Sequence, residues 1–247
     1  MARGRSSDPP LEVADAERLL VEAPDLELLG LLRNSTNYTF LARLPDADLF
    51  AVYKPATGES PLWDYPPGTL YRREVAAYRL ARFLGWPSIP PTVIRSQGPH
   101  GVGALQLFVD SAEGVYFETR DNRPQELLPV AVFDFVANNG DRKAGHHLRD
   151  SSDRLWVIDH GLTFHVDPKL RTVIWGFAGR PLPSELRAGL ERAAGELASG
   201  GSLRAELEDM LRRRERERLA RRLELALAPG WRLPAPTSSW SVPWPPV

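Results

Sequence analysis

The chain has 247 residues, 43% hydrophobic and 26% charged, which is long enough to bury a sizeable core in one large domain or two small ones. Thirty-one basic side chains against thirty-two acidic ones leave a formal net charge of -1, so no global positive field points to nucleic acid. The absence of cysteine removes disulfides, thiolate metal sites, cysteine nucleophiles and thioester lipid anchors together.

Residues 1–9 carry no apolar stretch and read as a disordered start without a secretory signal. Residues 10–23 set Leu11, Val13, Ala16, Leu19 and Leu20 on one face of a helix, which Pro24 ends. Three strand-like runs follow: DLELLGLLR, YTFLARL and LFAVYKP. The polar loop NSTN and the turn PDAD separate them, as in an antiparallel meander. Residues 55–68 form a Pro-, Gly- and Trp-rich loop. Residues 69–84 predict a helix with Thr69 as N-cap and Gly85 as the stop. WPSIPPTVIRS reads as a turn and a strand, QGPHGVG as a turn, and ALQLFVD as a buried strand.

From 125 onward the pattern changes. QELLPVAVFDFVANN predicts a core helix and GDRKAGHHLRD a polar loop. RLWVIDHGLTF reads as a strand, a turn and a second strand. Residues 165–183 are irregular, and 184–198 and 202–228 predict two helices, the second amphipathic. The tail 229–247, rich in Pro and Trp, is either a strapped extended segment or disorder. The boundaries that follow are a tail and helix at 1–24, a β-rich lobe at 25–110, a mainly helical lobe at 111–228 and the tail at 229–247. No apolar run reaches the ~20 residues of a bilayer span, so the chain is expected to be cytoplasmic and monomeric.

Rare polar residues are concentrated in few segments. Only Lys54, Lys143 and Lys169 are lysine among the thirty-one basic residues, and four of the five histidines (His146, His147, His160 and His165) fall between 146 and 165. Lys54 ends a strand, Glu74 lies on the next helix, and Asp141 and Asp159 follow in polar turns. A cation with an acidic partner, a carboxylate for a divalent metal and a carboxylate that takes the proton of an attacking hydroxyl are what phosphoryl transfer requires. Asp159 directly follows the apolar run LWVI, where burial without a cation or donors would cost several kcal/mol. Each residue also has an ordinary reading. Lys54 and Glu74 fit a solvated surface, Asp141 the turn chemistry of Asn-Gly-Asp, and Lys143 an ion pair with Asp150.

The segments YKPATGESP, YRREVAAYRLARFLG, IPPTV, NNGDRKAGHH and VIDHGLTF, in that order, resemble the lipid-kinase branch of the kinase fold. They are closest to type II phosphatidylinositol 4-kinases and to an actinobacterial kinase-like family grouped with phosphatidylinositol 3-/4-kinases. The resemblance covers roughly residues 28–182. It implies an α+β, two-lobed protein-kinase-like fold and an ATP-dependent phosphotransferase acting on a hydroxyl acceptor. By the same resemblance Lys54 contacts a phosphate with Glu74 as its partner, and Ser35 and Thr36 cap the phosphates. Gln106, Leu107, Phe108 and Val109 form the hinge against adenine, Asp141 is catalytic with Lys143 beside it, and Asp159 holds Mg2+ or Mn2+. The chain departs from the pattern at His146, which stands where the family has an asparagine ligand and is the second metal candidate beside Asp159; imidazole suits manganese or zinc better than magnesium, so either manganese is preferred, a water intervenes or the site is degraded. Two other readings stand beside the kinase. One is a metal-dependent phosphoesterase built on the Asp/His cluster 141–165, and the other is a nucleotide-binding pseudokinase. No Walker A pattern occurs, and Gly101 to Gly103 precede a strand rather than a helix.

Overall fold

The computed structural model describes residues 13–32 and 37–247. The first half is an antiparallel sheet held between two helices. Helix α1 (Val13–Glu22) turns Ala16 and Leu20 inward and ends ahead of Pro24. Strands β1 (Glu27–Leu31), β2 (Phe40–Leu44), β3 (Leu49–Pro55), β4 (Thr92–Gly98) and β5 (Gly101–Leu107) form one sheet in the order β1-β2-β3-β5-β4. Because side chains alternate along a strand, the sheet has two distinct faces. Ala51 and Tyr53 of β3 pack with Ala42, Leu44 and Leu105 against Leu20 of α1. Lys54 points to the opposite face, in register with Ala104, which pairs with Ile94. Helix α2 (Leu70–Leu84) covers that face through Tyr71 and Val75. Gly103 is required here, since a Cβ on it would run into the backbone carbonyl of Lys54.

Apolar burial organises the second half. The central helix α4 (Leu128–Ala137) buries Val130, Val132, Phe133 and Val136 against leucines of α5 (Ser184–Ser199), α6 (Ser202–Glu208) and α7 (Arg213–Leu227). A short hairpin of β6 (His147–Arg149) and β7 (Leu155–Val157) separates the two polar loops of interest. Helix α3 (Val115–Asn122) precedes α4.

Four elements differ from the sequence reading. The strand expected after the turn at Asp159 does not form; β7 pairs instead with β6, from within the segment read as a polar loop. The core helix begins at Leu128, after a 3-10 turn that starts at Pro124, and α3 went unread because it is short and mostly exposed. The helix expected over 202–228 breaks into α6 and α7. Glu215 accepts from the Arg212 backbone N–H at 2.7 Å and pairs with buried Arg73, so a new helix starts where that carboxylate is needed. The tail is strapped rather than loose. Leu233 is buried, Ser241 O accepts from Thr172 N–H and Trp175 Nε1–H, and Pro246 O accepts from Ala144 N–H.

Candidate functional site

The two halves meet at Lys54. Its ammonium lies 2.5 Å from Glu74 Oε1 on α2 and 3.3 Å from Asp159 Oδ1 in the loop after β7. Glu74 is buried, and its other oxygen accepts from the His160 backbone N–H at 2.9 Å. One carboxylate therefore joins the β-rich lobe to the loop that carries Asp159. Burial alone would lower the Lys54 pKa, but Glu74 and Asp159 hold it above the ordinary lysine value. Burial raises Glu74 against the pull of Lys54.

Asp159 has a left-handed backbone, φ 60°, which few non-glycine residues adopt and which tends to mark functional loops. Half of its side chain reaches solvent. Burial of the rest favours the neutral acid, yet Lys54 and then His146 outweigh it and hold the carboxyl well below its usual range. His146 Nε2 lies 3.3 Å from Asp159 Oδ2. Burial lowers the His146 pKa to about 4, so the ring is neutral at pH 7.

Asp141 sits on the loop between α4 and β6. Its N–H donates to Asn139 Oδ1 at 3.0 Å, and its carboxylate lies 3.5 Å from Lys143 Nζ. Lys143 thus turns to Asp141 and not to Asp150, whose carboxylate accepts from Ser152, Arg154 and Trp156. Burial raises the Asp141 pKa to about 6; Lys143 opposes the shift and Asp159 adds to it. A carboxylate poised there is ionised at neutral pH yet basic enough to take a proton.

The loop is held from behind by residues that sequence reasoning did not single out. Arg142 is completely buried and donates to both oxygens of Asp134 on α4, to Ile158 O at 2.7 Å and to His160 Nε2 at 2.7 Å. Asn139 donates to Asp134, while Asn138 donates to His165 O and Asp167 O and accepts from the Lys169 N–H. Their signal was present as scarce asparagines beside Asp141, but which partners they meet is not readable from spacing. Lys169 pairs with Asp64 at 3.0 Å and lies over the ring of Trp63.

Among the remaining candidates, the Gln106 side chain turns inward to Thr92 Oγ1 at 2.8 Å. Leu107 and Phe108 give their N–H groups to Pro91 O and Phe50 O, so that edge of the segment is already bonded ahead of Val109. Ser35 and Thr36 lie outside the described residues. The Asp/His segment 141–165 does not converge on one point. His147 is buried with Nδ1 on Ala144 O, His160 faces Arg142, and His165 is fixed to Asp64 O. Among the described residues no group of three or more His, Cys, Asp or Glu side chains is arranged to hold a metal. A cation held by one carboxylate and completed by phosphate oxygens and water is still compatible with Asp159, which is ionised and half open to solvent.

No family model matches this chain. Protein Rv2133c of Mycobacterium tuberculosis is 36% identical over 274 residues, spanning 95% of this chain and 97% of that protein. The chain belongs to the family of Protein Rv2133c. Among solved structures, the Helicobacter pylori proinflammatory kinase CtkA aligns with a TM-score of 0.50 over 81% of this chain and 90% of its own, at 10% identity. Hydra Fam20, solved with sugar, aligns with a TM-score of 0.52 over 87% of this chain and 89% of its own, at 15% identity. At those identities the likeness speaks to architecture, and the architecture is the two-lobed, kinase-like α+β fold. No helix among the described residues is long and apolar enough to cross a membrane.

Proposed function

We propose that this protein is an ATP-dependent phosphotransferase, a kinase of the phosphatidylinositol 3-/4-kinase-like group that acts on a hydroxyl acceptor. The observation that carries the reading is the Lys54–Glu74–Asp159 cluster, in which a strand-end lysine, a helix glutamate and a loop aspartate meet across the lobes. Lys54 is the cation for the nucleotide phosphates, and Glu74 keeps it aimed. Asp159 is the residue that would hold Mg2+ or Mn2+, which when bound neutralises phosphate charge. Asp141 takes the proton of the acceptor hydroxyl as the acceptor oxygen bonds to the γ-phosphorus of ATP and the bond from that phosphorus to the bridging oxygen breaks, ADP leaving, and Lys143 offsets the anionic charge beside it. The segment Gln106, Leu107, Phe108 and Val109 lines the adenine side, with Ser35 and Thr36 assigned to the phosphates. The order of motifs around Lys54, Glu74, Asp141 and Asp159 supports the lipid-kinase branch. The sugar in the Fam20 structure and the inositol ring of that branch make a polyol the first acceptor class to test.

Nucleotide binding decides the reading. Calorimetry with ATP and Mg2+ or Mn2+ is expected to show divalent-dependent binding by the wild type. Asp159→Ala is expected to weaken that binding by about tenfold or more. A wild type that binds neither ATP nor GTP with either ion ends the proposal. Tight binding with no transfer to any polyol, lipid or protein would instead favour the pseudokinase.

A further inference from the structure

The interior behind the cleft holds more donors than acceptors. Three of the six buried side-chain polar atoms without a partner among the described residues are Tyr65 Oη, Arg73 Nε and Arg222 Nη2, and their side chains group about His165. Tyr65 meets the His165 ring edge-on, centroids 5.0 Å apart, and the Arg73 guanidinium lies 4.9 Å from the centre of the Tyr65 ring. Arg222 on α7 donates to His165 O at 3.5 Å and to Val136 O of α4 at 2.7 Å. The acceptors close by are engaged already. His165 O also accepts from Asn138 Nδ2, Thr163 O accepts from Arg73, and Asp64 O accepts from His165 Nε2.

The two guanidinium groups are not equivalent. Arg73 has Glu215 as its counter-ion, whereas no carboxylate among the described residues pairs with Arg222. Burial, and then Arg218, push the Arg222 pKa down to about 10, so the group keeps its charge at neutral pH. A buried charge without a counter-ion is costly. A water molecule brings two hydrogens of its own to a place short of acceptors, and it cancels no charge. A small anion accepts from every donor there and supplies the missing countercharge.

We propose that Arg222 Nη2 and Tyr65 Oη bind one small monovalent anion of the chloride class. The anion lies at the start of the loop that carries Asp141, because His165 O is shared by Arg222 and Asn138. It ties α7 to the end of α4 and to that loop. The proposal is independent of the phosphotransferase reading and is judged on protein without nucleotide.

Thermal unfolding of the full chain tests it, with sodium gluconate exchanged for sodium chloride at constant ionic strength. The melting temperature is expected to rise by about 3–5 °C for each tenfold increase in chloride above its dissociation constant. Arg222→Met is expected to lose that dependence. Tyr65→Phe, which keeps the ring and removes only the hydroxyl, is expected to weaken chloride binding about tenfold, and it carries the test if Arg222→Met does not fold. A wild type whose melting ignores chloride overturns the proposal, as does an undiminished response in either variant. Crystals soaked in sodium bromide are expected to show an anomalous peak within hydrogen-bond reach of Arg222 Nη2 and Tyr65 Oη. Ordered water there without an anomalous signal overturns the assignment. A bromide peak in a protein whose melting ignores halide means binding at crystal concentration only, and counts against it equally.

Discussion

Asp141 and Asp159 illustrate how environment separates two side chains of the same kind. Asp159 faces Lys54 and His146 and stays ionised far into acid, while Asp141, whose side chain is less exposed, is pushed up by burial to about 6 against the pull of Lys143 and Arg171. Such a divergence assigns different work to each. The sign for catalysis is direct. As the proposed base, Asp141 must be deprotonated, so turnover is expected to fall about tenfold per pH unit below pH 6 and to be flat just above it. Asp141→Asn is expected to keep nucleotide binding and lose transfer by about a hundredfold or more, removing that acid limb from any residual rate. A residual rate that kept the limb would assign the ionisation elsewhere. At this scale the sequence was informative where chemistry and order coincide. Lys54, Glu74, Asp141 and Asp159 are polar residues set in or beside apolar runs, and the folded chain brings Lys54, Glu74 and Asp159 into contact. Arg142 escaped because a buried arginine looks like any other in a chain with twenty-eight of them, and its partner Asp134 is hidden in an apolar helix.

Helix α2 packs on the sheet of one lobe, yet its arginines reach the other. Arg73 is buried between Thr163 O and Glu215, Arg72 donates to Asp209 O, and Arg79 and Arg82 bond Glu206. Glu74, the next residue after Arg73, is thereby held toward Lys54 from behind. Breaking a buried ion pair strands a charge, so Glu215→Gln is expected to cost about 3–5 kcal/mol in denaturant unfolding and to speed amide exchange along α2. The double variant Arg73→Met with Glu215→Leu is expected to cost less than Glu215→Gln alone, because no charge is left without its partner. A Glu215→Gln protein as stable as the wild type would show that the pair does not anchor the helix. Helix α2 itself was readable from its apolar spacing and Gly85, but the cap expected from Thr69 does not form: its hydroxyl donates to Pro66 O, and Glu59 accepts from the Tyr71 N–H instead. The helix's anchoring was not readable, since Arg73 and Glu215 are 142 positions apart and only the three-dimensional path joins them. The break between α6 and α7 escaped for the same reason, because the leucine stripe continues through it.

On the scale of the molecule, the order of elements gave the architecture: strands with two helices first, helices afterwards, and two polar loops around a short hairpin. The tail could not be read, because Pro- and Trp-rich segments serve equally as straps and as linkers. Here it runs along the helical lobe and reaches the loop that carries Asp141, where Pro246 O accepts from the Ala144 N–H. Ending the chain after Pro234 removes that bond and both bonds to Ser241 O. At about 1 kcal/mol each, the melting temperature is expected to fall by about 5–10 °C. Amide exchange around Asp141 is expected to rise with it; an unchanged melting curve would mean that the strap only rests on the surface.

The scarcity of lysine has a practical corollary. Lys54 and Lys143 flank the two aspartates, and Lys169 backs onto Gly140, one residue before Asp141. Arginine supplies every other basic side chain, so reagents that acylate primary amines find side-chain targets only around the cleft. Protection of these three amines, followed by mass spectrometry, would report occupancy with almost no background from the rest of the surface.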